Sequence, residues 1–189
     1  MRGQVRLAIA GSIARVTLSH PGKLNAMSRA MWLELREVFE RIQQNAALRC
    51  VILAGEGGNF CAGGDISEYA VFRFEEASLR QFHDELVWGG LQAVLDCDVP
   101  IVAQIEGACM GAGLEIASCC DLRLAGASAK FGAPIAKLGF PMAPRELALV
   151  MGAAGELSTR EMLLAATVLD APTVAQRGFL NRVLPDEEV

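Results

Sequence analysis

In the stretch Cys109–Asp121, CMGAGLEIASCCD, Glu115 is the one carboxylate among small and apolar residues until the closing Asp121. Its composition predicts a buried helix that the chain enters through Gly111 and Gly113. Burying an unpaired carboxylate is costly, because surroundings of low polarity penalise its charged form. Glu115 is therefore expected either to lose its charge or to take part in chemistry, and the sequence on both sides must indicate which.

Short β-rich segments alternate with longer segments of helical periodicity around this stretch. Ser28 is a suitable N-cap for a helix over residues 29–46, in which apolar residues recur on one face. Asp65 can cap a short helix that begins at Ile66, and residues 75–97 predict a longer helix. The part after residue 132 is predicted to be helical as far as residue 185.

The predicted strands are short and almost wholly apolar. Two of them, 4–10 and 12–19, are separated by Gly11 and predict a hairpin. The other predicted strands are 50–55, 101–107, 121–126 and 129–132. Buried strands that alternate with helices indicate an α/β protein. No repeat or linker divides the sequence, so a single domain over residues 1–189 is expected.

Composition excludes several classes of protein. The chain has 189 residues, of which 52% are hydrophobic and 21% charged, and its formal net charge is −5. The negative charge and the absence of a basic block argue against nucleic acid as the main partner. No apolar run approaches the ~18 residues of a membrane span. Arg6 and Arg15 interrupt the apolar patches at the N-terminus, which does not fit a signal peptide, so a cytoplasmic location is expected.

The cysteines predict packing rather than chemistry. They lie mostly within apolar segments and show no Cys-x-x-Cys spacing, and with two histidines in the chain no zinc site is expected. Cys61 and Cys109 flank the two glycine-bearing turns, yet no histidine is visibly placed to activate either thiol as a nucleophile. All six are expected to be reduced: Cys50, Cys61, Cys97, Cys109, Cys119 and Cys120.

Two turns, residues 59–65 (NFCAGGD) and 106–115 (EGACMGAGLE), have a common design. Each follows a buried strand, is rich in small residues and leads into a helix. Small residues let a ligand approach the backbone, and two converging N–H groups could stabilise a negative charge on a carbonyl oxygen. Ordinary tight turns between strand and helix would have the same composition, so the residues alone leave both interpretations open.

The second turn also matches a dinucleotide-binding pattern, Gly-x-x-x-Gly-x-Gly, starting at Gly107. That pattern belongs after the first strand of a chain and requires a downstream Tyr-x-x-x-Lys. Here the turn lies in the second half of the sequence. The only tyrosine, Tyr69, is upstream and has Arg73 at the lysine position. The nucleotide-cofactor interpretation is therefore rejected.

With these motifs in place, the chain resembles the enoyl-CoA hydratase/isomerase (crotonase) family over nearly its whole length. The resemblance is carried by HPGKLNAMS at 20–28, by 51–69, by 100–139 and by 153–185, in the family's order and spacing. It implies an α/β, crotonase-like ββα spiral with a core over about residues 1–142 and a helical extension over about 143–189. The C-terminal helical region looks shortened relative to the family.

The resemblance also implies a site. In the family, the backbone N–H groups of two turns polarise a thioester carbonyl, and by position these belong to Ala62 and Ala112. Glu115 matches the first of the two catalytic glutamates of the hydratases. The residues implied to contact coenzyme A are Lys23, Leu24, Ala62, Gly64, Asp65, Ile66 and Gly111. No separate cofactor is implied, because coenzyme A is part of the substrate, and no metal is expected. A homo-oligomer, either a trimer or a dimer of trimers, is implied as well.

The second glutamate of the hydratases is missing. It would follow the proline of a Phe-Gly-x-Pro-Glu stretch, but this chain reads FGAPI and has Ile135 there. The nearest downstream acid, Glu146, lies in the following predicted helix and matches no catalytic position of the family. Slow hydration is therefore expected. Chemistry that needs one carboxylate, such as migration of a double bond, is expected to be at least as favourable.

Two alternatives remain at this stage. A catalytically silent member of the family would bind acyl-CoA, or serve in assembly, without turnover. A peptidase of the related serine-protease fold would need a Ser–His–acid set, for which His20 and His83 stand in the wrong sequence contexts. Assays with enoyl-CoA substrates separate the enzyme from the silent member.

Overall fold

The computed structural model describes residues 2–189 and begins with the predicted hairpin. β1 (Gln4–Ala10) and β2 (Ile13–Ser19) pair antiparallel around a turn at Gly11, whose positive φ of 60° suits glycine. On β2, Ala14, Val16 and Leu18 alternate inward and are fully buried. This strand pair is the edge on which the main sheet is built.

The main sheet has six strands in the order β1-β2-β3-β4-β6-β9. Every pairing after the hairpin is parallel. The four further strands are β3 (Cys50–Gly55), β4 (Ile101–Ile105), β6 (Leu122–Gly126) and β9 (Arg182–Leu184). The predictions for β3, β4 and β6 are confirmed within two residues at each end. β9 was predicted as helix, which is wrong.

α1 (Arg29–Gln43) is confirmed together with its N-cap. The Ser28 hydroxyl accepts a hydrogen bond from the Met31 N–H at 3.3 Å. The apolar face expected from the periodicity is buried: Met31, Leu35, Val38 and Ile42. This face packs against the sheet and against the long helix that follows β3.

The predicted helix over 75–97 forms, but it is not uniformly α-helical. It consists of α2 (Glu76–Gln81), a π-helical turn over Phe82–Val87, and α3 (Trp88–Leu95). A π turn accommodates an extra residue and changes the face on which the following side chains lie. Before it, residues Ile66–Val71 form a 3-10 helix capped by Asp65, as predicted, with the Asp65 carboxylate accepting from the Ser67 N–H at 3.2 Å.

A second, smaller sheet has the order β5-β7-β8. β5 (Ala108–Met110) lies within the glycine-rich turn and was not predicted, whereas β7 (Lys130–Gly132) was. β8 is only Leu169–Asp170 and pairs antiparallel with β7. This sheet fixes the position of the turn that leads into α4 (Ala112–Ser118).

The C-terminal part is mainly helical, as predicted, and covers one end of the sheets. It begins with a 3-10 turn over Ile135–Leu138. Three helices follow: α5 (Pro144–Ala154), α6 (Glu156–Leu164) and α7 (Ala171–Gln176). α5 packs on α4, and this contact brings two distant parts of the sequence together. Among residues 2–189, no helix is long and apolar enough to cross a membrane.

Candidate active site

The two glycine-bearing turns lie side by side because their backbones pair. The Cys61 N–H donates to the Ala108 carbonyl and the Met110 N–H donates to the Cys61 carbonyl, both at 2.8 Å. The Gly111 N–H then donates to the Gly132 carbonyl at 2.8 Å, which ties the second turn to β7. These backbone hydrogen bonds hold the two turns against each other, an arrangement that their composition alone had left open.

Glycine is required where the turns touch. A Cβ atom at Gly113 would lie 2.6 Å from the Cys61 carbonyl oxygen, closer than atoms can approach. Gly111, at the N-cap of α4, has a φ of 47°. A Cβ atom added to it would lie 3.5 Å from the Cα atom of Gly63 in the first turn. The small residues therefore allow two backbones to meet, and the carboxylate of α4 enters the space beside them.

Glu115 lies in the first turn of α4. All seven residues of this helix are buried, as predicted. Only 9% of its surface is exposed. Burial, followed by the charge of Glu146, raises the pKa of Glu115 from 4.5 to about 8. Among the described residues, none donates a hydrogen bond to Glu115 that would lower this pKa. At neutral pH the group therefore holds a proton that it can exchange.

A pocket opens in front of Glu115 and is lined by both turns. Ala62, Gly64, Gly111 and Ala112 contribute backbone to its wall. The Ala112 N–H is at the start of α4 and has no partner within the helix. Glu115 and both turns therefore line one pocket.

The prediction for the Ala62 amide needs correction. Its N–H donates to the Leu24 carbonyl at 2.9 Å, so it is already engaged by the chain. Two residues later, Gly64 forms a β-bridge with Met27 through the backbone groups of its two neighbours. The Met27 N–H donates to the Gly63 carbonyl, and the Asp65 N–H donates to the Met27 carbonyl. The Gly64 N–H is on the opposite side of this strand and, among residues 2–189, donates to no other backbone group. The Ala62 N–H is therefore engaged, whereas Gly64 offers an N–H that no backbone group within residues 2–189 accepts.

Glu146 enters the same pocket from α5, a position that the sequence did not indicate. It is 3% exposed, and its Oε1 lies 3.1 Å from Nδ1 of His83. His83 comes from the π turn and also lines the pocket. The sequence matched Glu146 to no catalytic position of the family and considered His83 only for a peptidase, so neither was placed at this pocket. The signal that could have located them is tertiary, because it depends on α5 packing on α4.

The remaining wall of the pocket is apolar and aromatic. Ile135 lies at the pocket, as its position in the sequence suggested, and supplies no proton-transfer group. Tyr69 also lines the pocket, and burial raises its pKa to about 12. The phenol oxygen lies so near Gly64 that a Cβ atom there would be 2.3 Å away. Sequence reasoning considered Tyr69 only as part of a nucleotide site and missed it here.

The residues predicted to contact coenzyme A lie near one another but differ in their setting. Ile66 is 58% exposed at the pocket, and Leu24 is 54% exposed with a φ of 46°. The Lys23 ammonium already pairs with Asp65 at 2.6 Å and with the Ser67 hydroxyl at 2.9 Å. A phosphate at Lys23 would have to compete with the buried Asp65 carboxylate, so the role of Lys23 toward coenzyme A remains a prediction.

The cysteine prediction agrees with the structure. Cys61 and Cys109 are fully buried, and burial raises the pKa of Cys61 to about 12 and that of Cys109 well above its ordinary value. Neither thiol is therefore a ready nucleophile. His20 is buried away from the pocket, with Nδ1 2.6 Å from the Ala26 carbonyl. No serine is among the residues that line the pocket, so no Ser–His–acid set forms there.

Known proteins are similar to this chain in sequence and in fold. The family model described as Enoyl-CoA hydratase/isomerase matches residues 8–189. A probable enoyl-CoA hydratase of Mycobacterium tuberculosis is 30% identical over 96% of this chain and 70% of its own length. A mitochondrial Δ(3,5)-Δ(2,4)-dienoyl-CoA isomerase of Dictyostelium discoideum is 29% identical over 93% of this chain and 63% of its own length.

The solved structure of an enoyl-CoA hydratase/carnithine racemase from Magnetospirillum magneticum superposes with a TM-score of 0.93. The two proteins are 38% identical, and the superposition covers 97% of this chain and 68% of that one. The predicted crotonase-like fold is thereby confirmed. With the match of the family model over residues 8–189, these similarities establish that the chain belongs to the enoyl-CoA hydratase/isomerase family.

Proposed function

We propose that the chain is an acyl-CoA enzyme that hydrates or isomerises enoyl-CoA thioesters, with Glu115 moving the proton. The observation that carries this proposal is a buried carboxyl group with a pKa raised to about 8, beside two turns with free amides. Family membership supplies the substrate class, since both hydratases and an isomerase are among the relatives.

The Ala112 and Gly64 amides would receive the thioester oxygen. When a proton leaves C2, or a nucleophile adds at C3, electrons move to this oxygen and give an enolate. Preformed N–H donors stabilise that charge without reorganisation, and each is worth roughly 10²–10³-fold in rate. In the part of the chain that the structure describes, neither of these two N–H groups donates to another backbone group.

Glu115 would exchange a proton with the acyl carbons. In isomerisation, its deprotonated form takes a proton from C2 of a 3-enoyl-CoA, and the same group returns the proton to C4 as the double bond moves. A pKa near the working pH suits a group that must both accept and release a proton. The apolar walls around Ile135 would keep water from competing for it.

Turnover by the wild-type protein and a Glu115→Gln variant tests the proposal. The variant keeps the shape of the side chain but cannot transfer the proton, so turnover of crotonyl-CoA and of a 3-enoyl-CoA should fall roughly 10²–10⁴-fold. Binding of a saturated acyl-CoA, measured by calorimetry, should change little. A wild-type protein that binds acyl-CoA but consumes neither substrate would contradict the proposal and indicate a catalytically silent member.

A further inference from the structure

Glu146 is a buried carboxylate that faces the pocket and that no step above uses. It lies at the first turn of α5, is 3% exposed, and lines the same pocket as Glu115. Keeping a carboxylate so far from solvent costs free energy unless it is partnered, and its partner is the ring of His83 at 3.1 Å.

The backbone around His83 has an irregularity that fits a role in the site. The long helix departs from α-helical geometry over Phe82–Val87, where the π turn contains His83. Such turns cost stability and occur frequently at functional sites. Here the turn leaves Phe82 in the core and directs His83, which is half-exposed, toward α5.

We propose that Glu146, positioned by His83, is the second acid/base group of this site, in place of the glutamate that Ile135 excludes. The proposal rests on the proposed function, because it requires an enoyl-CoA in the pocket. Glu146 enters from α5, whereas the position occupied by Ile135 is in the 3-10 turn before that helix. The carboxyl groups of Glu115 on α4 and Glu146 on α5 therefore reach one pocket from two different helices.

The two groups can divide the hydration of a 2-enoyl-CoA between them. The Glu146 carboxylate takes a proton from a water molecule while the water oxygen forms its bond to C3. The electron pair of the double bond moves to the thioester oxygen as an enolate. Glu115 then gives its proton to C2, and the carbonyl reforms. One water has been added, and the proton on Glu146 returns to Glu115 through solvent when the product leaves.

The pH dependence of Glu115 should report the presence of Glu146. The charge of Glu146 contributes to the raised pKa of Glu115, so removing this charge should lower the pKa. Burial raises the pKa values of Tyr69, Cys61 and Cys119 above pH 9, so their titration does not overlap this readout. The contribution of His83 is tested separately with His83→Asn. The groups that interact with Glu115 or share its pocket are His83, Tyr69, Cys61 and Cys119.

The test compares Glu146→Gln and His83→Asn with the wild type, with Glu156→Gln as the control that removes an exposed glutamate from α6. Glu146→Gln should reduce kcat for hydration of crotonyl-CoA roughly 10²-fold or more, with melting temperature and acyl-CoA affinity retained. Isomerisation of a 3-enoyl-CoA should fall much less, since Glu115 alone can perform it. His83→Asn should lower hydration less than Glu146→Gln and change its pH profile, and Glu156→Gln should match the wild type.

A second measurement is independent of turnover. A ¹³C NMR titration of glutamate carboxyl groups should show the Glu115 inflection at lower pH in Glu146→Gln than in the wild type. An active wild type whose hydration is unaffected by Glu146→Gln would overturn the inference and leave the proposed function intact. An unshifted Glu115 titration would also overturn the inference. A wild type without any turnover would instead remove the proposed function, and the catalytic role of Glu146 with it.

Discussion

At the scale of one residue, burial raises the pKa of Glu115 at the expense of stability. Its pKa in the folded protein, about 8, is above the value of 4.5 expected in the unfolded chain. Between these two values the folded state binds more protons than the unfolded state. Stability is therefore lost as the pH rises from 4.5 to 8 and then stays lower.

The first prediction follows from this sign. Glu115→Gln, which carries no charge at any pH, should unfold at a higher temperature than the wild type at pH 9 and should lose this advantage near pH 4.5. The difference at pH 9 is on the order of 4 kcal/mol. Thermal unfolding of both proteins across this range measures it, with Glu156→Gln as a control. A stability difference that does not depend on pH would show that the charge of Glu115 does not destabilise the folded protein.

A further residue-scale prediction concerns the pH dependence of isomerisation. The proposed isomerisation needs the deprotonated form of Glu115, so kcat/KM should rise with pH, with an inflection near pH 8 and a plateau about one pH unit higher. Initial rates with a 3-enoyl-CoA between pH 5 and 9.5 measure this profile. An inflection near 4.5 would contradict the effect attributed to burial.

At the scale of elements, the site depends on the contact between two turns and the start of α4. The pairing of Cys61 with Ala108 and Met110 sets their distance, and Gly113 fills the narrow place beside the Cys61 carbonyl. The amides of Gly64 and Ala112 are consequently held by backbone contacts rather than by side chains. Such a site is insensitive to many side-chain changes but sensitive to an added methyl group at the contact.

Gly113→Ala should therefore destabilise the protein by roughly 1–3 kcal/mol, the usual cost of overpacking, and lower turnover by separating the turns. Gly152→Ala is a matched control in α5, because a Cβ atom there meets nothing within 4 Å. The control should be more stable than the wild type by about 0.5–1 kcal/mol, as expected for glycine in a helix. Chemical denaturation and assay of both variants test this, and equal stability of the two would contradict the contact.

At the scale of the whole molecule, the chain exposes apolar side chains that no other part of residues 2–189 covers. Leu157 and Leu164 are 81% and 74% exposed, and their spacing of seven residues puts both on one face of α6. An apolar face of this kind marks a site of association. Self-association, as a trimer or a dimer of trimers, was implied by the family resemblance and remains a prediction.

The corresponding experiment measures mass in solution. Light scattering at micromolar concentration should give a multiple of the 20.1 kDa chain. Replacing Leu157 and Leu164 by glutamate should shift the mass toward the monomer, whereas Leu33→Glu on α1 should not. A wild-type protein that is monomeric under these conditions would contradict the prediction.

The sequence by itself determined the elements that depend on neighbours along the chain. The hairpin at Gly11, α1 with its Ser28 cap, β3 and the capped 3-10 helix at Asp65 were predicted because period, turn chemistry and capping are local properties. Glu115 was identified by the same route, as one carboxylate in an apolar stretch. The short strands β5, β8 and β9 were missed. A segment of two or three residues is too short to show an alternation of apolar and polar residues, and it becomes a strand only by pairing with another strand.

Only the tertiary structure decided which groups meet at the site. Whether the amide of Ala62 or of Gly64 is free depends on which side of the strand faces Leu24 and Met27, and spacing in the sequence does not fix this. Glu146 and His83 are 63 residues apart and reach the pocket through helix packing and a π turn. Long-range packing has no local signature. The burial of Glu115 could therefore be anticipated from the sequence, whereas the approach of Glu146 to the same pocket could be found only once α5 was placed on α4.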